Sequence, residues 1–151
     1  MIEMKEIQTA TAKVLNRSGY TVIAAEVKEG FPKPACFIEV MPVSVVVENQ
    51  FAERVTVSVE ITYHPAIETR EELIKQAAEF KSLFLYTPIK VRDRYLSVNE
   101  ITFDTDKSAL LVYFELEFIQ ETETKKTRIS KMKNLYERVV TESGGTSENT
   151  D

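Results

Sequence analysis

One run, RVTVSVEITYHP at residues 54–65, constrains the fold more than any other. Val55, Val57, Val59, Ile61 and Tyr63 take alternate positions, with Thr56, Ser58, Glu60, Thr62 and His64 between them. Side chains alternate across a strand, so the run reads as a half-buried β-strand with one apolar and one polar face. β-branched residues suit a pleated surface, and Pro65, with no N–H to give a ladder, ends it. Such a strand needs neighbouring strands and a cover for its apolar face.

The cover is legible as two amphipathic helices. Residues 2–18 place Met4, Ile7, Thr11, Val14 and Leu15 on one face, and Gly19 supplies the stop. A second helix opens at Thr69, which with Glu72 matches a capping box. Its inner face is Leu73, Ala77, Phe80 and Phe84, widened by Ile74 and Leu83. Strands are expected at residues 20–27, at 35–41 and at 90–98. The run at 35–41 is nearly all apolar and reads as central, broken by Pro42. Ile101 and Phe103 lead through a turn at residues 104–107 into the longest strand, 110–119. There Leu110, Val112, Phe114, Leu116 and Phe118 face in, and Glu115 and Glu117 face out.

The element order gives an α+β class: a mainly antiparallel or mixed sheet of about four to six strands, with two helices on one face. A long β-hairpin arm and a short C-terminal helix add to it. Residues 1–122 read as the folded body. Residues 123–151 read as a charged extension, with a short helix at 131–140 and a flexible SGGTSENTD tail.

Composition narrows the function. With 19 basic against 24 acidic residues the net charge is −5, which disfavours a general nucleic-acid binder. One cysteine excludes an intramolecular disulfide, and one Cys with one His cannot build a zinc site of the usual type. No apolar run is long enough for a membrane span, and MIEMKEIQ is not a signal peptide. A reducing cytoplasm is the expected place of synthesis.

Catalytic and cofactor motifs are missing: no phosphate loop, dinucleotide fingerprint or nucleophile elbow is present. His64 stands at a strand end, a position where histidine is ordinarily solvated or hydrogen-bonded, and no orienting partner is nominated. Cys36, inside Ala-Cys-Phe-Ile, reads as a small buried hydrophobe rather than a nucleophile. Asp104 and Asp106 lack the glycine and distal glutamate of a calcium loop. Glu115 and Glu117 share one strand face instead of converging. No metal, cofactor or catalytic residue is expected.

Two features read instead as contact surfaces. Val43, Val45 and Val47 run up to a polar tip, with Phe51 and Arg54 beyond it, and form an arm with more valine than a solvated hairpin needs. Lys90, Arg92 and Arg94 recur at every second residue, which would line them on one strand face.

The succession of an N-terminal helix, PACFIEVM, RVTVSVEITYHP, a helix opening TREELIKQAAEF and a late strand LLVYFELEF resembles the tail-terminator family of phages and prophages of Gram-positive bacteria. The resemblance covers residues 1–120. It implies a structural virion subunit without enzymatic activity, in a homo-oligomeric and commonly hexameric ring. That ring caps the tail tube at its head-proximal end, stops its polymerisation and joins the head-completion or neck protein. A sheath protein is a further partner if the tail contracts, and DNA passes the lumen without specific binding. The alternatives are a head–tail connector or neck protein, a small-molecule-binding domain using Cys36 or His64, and a nucleic-acid module using Lys90, Arg92 and Arg94.

Overall fold

The computed structural model describes residues 1–122 other than 25 and 28. The order is α1 (Met4–Arg17), β1 (Ala35–Asn49), β2 (Ala52–His64), α2 (Arg70–Leu85), β3 (Ile89–Val91), β4 (Arg94–Leu96), β5 (Ile101–Asp106) and β6 (Ala109–Glu121). Four strands form an antiparallel sheet in the order β1-β2-β6-β5, and β3-β4 form a separate hairpin. The class is α+β, with both helices on the apolar side of the main sheet.

The alternating run forms β2 and lies inside the sheet. Val57, Val59 and Ile61 are completely buried. On β6, Leu116 is paired with Val57 and Val112 with Ile61, so the two strands present one continuous apolar surface. α2 lays Phe80 and Phe84 on it; Phe84 lies 5.0 Å from Phe114 and Phe80 lies 5.6 Å from Tyr63. Burying each phenylalanine contributes about 1.5–3 kcal/mol. α1 adds Ile7 and Leu15 to the same core.

The helix ends follow from local chemistry. Thr69 Oγ1 accepts from the Glu72 N–H at 3.2 Å. Glu72 does not reach back to complete the box. Its carboxylate accepts from Gln76 Nε2, and the Thr69 N–H donates to the Ile67 carbonyl instead. Ile74, expected on the inner face, is 61% exposed, whereas Gln76 is buried.

Five other expectations are corrected. The described residues of 20–27 do not form a strand: Val22 makes one parallel bridge to Cys36. Tyr20 explains why, because its ring stacks on Phe80 at 5.0 Å and its hydroxyl reaches Gln76 and Glu79, which ties the segment to α2. Pro42 does not end β1, and β1 is an edge strand rather than a central one. An edge tolerates proline, and a register shift between Pro42 and Ser44 absorbs it. Asp104 and Asp106 lie on β5, and the turn is Lys107–Ser108, with Lys107 at φ 60°. The expected strand at 90–98 is a tight hairpin turning at Arg92–Asp93, with Arg92 at φ 58°. The helix expected at 131–140 and the tail after it lie outside the described residues.

Candidate functional site

The β1–β2 hairpin divides at Pro42. Below it run the pairs from Ala35 with His64 to Met41 with Ser58, and on the helix side of these Cys36, Ile38, Val59, Ile61 and Tyr63 are buried. α1 meets β1 here, where Gln8 Nε2 donates to the Ile38 carbonyl. Above it, Val45 pairs with Val55, Val46 with Arg54 and Val47 with Glu53. Directly paired residues share a face, so Val45 and Val47 project on the helix side of the sheet and Val46 on the other.

The cover continues up β2 and β6 but not up β1. The Arg94 guanidinium lies over the Phe118 ring, and its Nη1 donates to the Ile119 carbonyl at 2.6 Å. The Ile2 N–H donates to Gln120 Oε1, and Gln120 Nε2 donates to Glu53. Val55 and Phe118 are buried beneath these groups, while Val45, one strand over, is 56% exposed. Met41, Val43, Val46, Val47 and Phe51 are exposed as well. Beyond Ile38 no strand among the described residues pairs with the outer edge of β1. Among the described residues the arm is therefore an apolar strand with an open edge and both faces uncovered, the kind of surface folded proteins cover or use.

Arg54 is not a free cation on this arm. It bridges Glu48 and Glu117, each at 3.0 Å, and so fixes the arm's polar side. The expected basic stripe is dispersed by the turn at Arg92–Asp93. Arg92 pairs with Glu6, Arg94 crosses to β6, and Lys90 lies over the Tyr95 ring. Arg92 and Arg94 clamp the small hairpin to the body, Lys90 packs within it, and the three do not line one face. A positive φ is costly for arginine, which is why VRDRY does not announce a turn in the sequence.

The groups nominated for chemistry are placed otherwise. Cys36 is fully buried, and burial pushes its thiol up to about 12, so it stays a protonated apolar side chain. His64 is not simply solvated as expected. Its ring lies 5.0 Å from Phe31 and 5.5 Å from Phe37, and burial followed by the nearby Lys33 holds its pKa below the ordinary value. No hydrogen bond orients the ring among the described residues. Glu115 and Glu117 line an open polar hollow with Thr56, Ser58, Glu100 and Tyr113 on the solvent side of the sheet. Among the described residues no group of three His, Cys, Asp or Glu gathers to hold a metal ion, and no helix is long and apolar enough to cross a membrane.

A family model described as phage tail terminator protein matches residues 6–128. The chain belongs to the phage tail terminator family. Terminators are structural proteins of the phage tail, which makes this chain a virion component. No curated protein is similar enough to match. Seventeen chains of solved structures match, among them one at 16% identity and a TM-score of 0.47, covering 81% of this chain and 97% of its own.

Proposed function

We propose that this terminator is the subunit of a ring, commonly of six copies, that caps the tail tube, stops its polymerisation and offers the joining surface for the head or neck. The family match across the folded body carries the reading. The arm supports it. An apolar edge in solvent is an aggregation hazard for a protein that acts alone, and becomes an asset in one whose work is assembly.

The contacts of this reading are the tube protein on one side and a head-completion protein on the other, with a sheath protein where the tail contracts. Val43, Val45, Val47, Phe51 and Arg54 belong to the subunit contacts. Arg92 and Arg94 hold the β3–β4 hairpin to the body, and Lys90 lies over Tyr95 within it. The solvent side of the sheet carries Glu39, Glu60, Asp104, Asp106, Glu115 and Glu117 against Arg54. Such a surface suits a lumen through which DNA slides, because like charges do not adhere.

The test is mass in solution by light scattering, alone and with the tube protein, together with tube lengths by electron microscopy. A ring-sized species, alone or on tubes, and tubes that stop elongating are expected. A protein that stays monomeric in both conditions while tubes grow on would overturn the reading.

A further inference from the structure

Each copy carries two apolar features that none of the described residues covers, at opposite ends of the strand order: the arm of β1 and a recess beside β5. The recess has a volume of about 310 Å³ and lies between α2 and β5, lined by the apolar Leu73, Ile74, Ala77, Phe103 and Leu110 together with Arg70, Asp104 and Thr105. Ile74 and Phe103 are exposed there, and β5 is the second open edge of the sheet.

A strand added to a sheet edge continues both faces of that sheet. On the arm, Val45 and Val47 project toward the helix side, as the pairing of Val45 with buried Val55 requires. On β5, Phe103 is paired with Val112 and Thr105 with Leu110, both buried, so these residues project toward the helix side too. An arm added antiparallel to β5 keeps the helices of both copies on one side of the joined sheet, and so turns Val45 and Val47 to the side of β5 that holds the recess.

We propose that the arm of one subunit adds as a strand to β5 of the next, seating Val45 and Val47 in the α2–β5 recess. This rests on the ring reading and names the contact that builds the ring. A second copy is the occupant that fits both features. One contact leaves an unused arm on one subunit and an unused recess on the other, so the contact repeats head to tail, as a closed ring demands. Both open edges are satisfied at once.

Cysteine cross-linking of the full-length protein under oxidation by diamide tests this, with and without tubes. Cys36 is buried and stays silent. The pairs are Val45→Cys or Val47→Cys combined in one chain with Phe103→Cys or Thr105→Cys. The expected result is a ladder of covalent oligomers from a double variant, and only dimers when an arm variant is mixed with a β5 variant. Ile74→Asp, at an exposed site, should raise the concentration needed for half-assembly by more than about tenfold without lowering the melting temperature. An assembled ring with no ladder would overturn the proposal and leave the ring reading standing. So would arm variants that link to each other, to the tube protein or to residues 123–151. Monomers in every condition would overturn both.

Discussion

The two halves of the β1–β2 hairpin are built from the same residue type in the same secondary structure, yet they differ in what lies over them. Val57 and Val59, in the covered half, are completely buried, whereas Val45 and Val47 are more than half exposed. Strand propensity accounts for both halves equally. The difference is that α1 crosses β1 only at its base, while Ile2, Arg94 and Gln120 extend the cover over β2 and β6 alone. A β-branched run is thus a statement about backbone, and burial is a statement about neighbours.

Paired substitutions break this comparison most directly. Val57→Ala removes two buried carbons and leaves a cavity, and should cost ~2–3 kcal/mol in urea unfolding. Val45→Ala should stay within about 0.5 kcal/mol, because it removes area that is already wet. Equal costs would mean that the arm is covered in the monomer. If the costs separate as expected, Val45→Asp with Val47→Asp should leave the monomer folded and abolish assembly.

A smaller effect is expected on the solvent side of the covered half. Glu60 stands directly opposite Glu39. Burial, then the Glu39 charge, raises its pKa, so the ionised form is held at a cost at neutral pH. Glu60→Gln should raise stability at pH 7 by about 0.2–1 kcal/mol, an effect that fades as the pH drops and wild-type Glu60 takes up its proton. The Tyr113 hydroxyl donates to this carboxylate and opposes both burial and the Glu39 charge, so a loss on substitution would show that this contact outweighs them.

The smallest effect belongs to His64, at the base of the hairpin. Its pKa is depressed in the folded state from an ordinary 6.5, so the unfolded chain protonates first. Its contribution is then fully present above that value and declines as the pH falls through it toward the lowered folded pKa. The melting-temperature difference between wild type and His64→Phe should therefore shift against wild type from about pH 7 to about pH 5. Glu6, Glu48 and Glu68, with pKa values lowered from 4.5, lose their contributions at lower pH and do not obscure the window. A flat difference would place the imidazole in water in both states.

Much of the fold was legible because periodicity reports local geometry. The alternation at 54–65, the inward set on β6 and the Phe80–Phe84 helix face each carry their direction in the chain. The arm was legible as an excess of valine. Residues 20–27 misled because Tyr20 alternates like a strand residue, while its ring and hydroxyl bind α2, a partner distant in sequence. The Lys90–Arg92–Arg94 stripe misled because a left-handed arginine is rare enough that no local signal marks the turn.

The sequence by itself determined the α+β class, the apolar face of each long element and the resemblance to tail terminators, since these depend on the order and spacing of residue types. Only the tertiary structure decided that β1 is an edge, that Pro42 rides within it, that Arg92 and Arg94 clamp the small hairpin instead of joining Lys90 in a stripe, and that the arm and the α2–β5 recess stand at opposite ends of one sheet. Those outcomes depend on which elements become neighbours. Pairing across a sheet is set by the total packing of both faces, which no window of the chain contains.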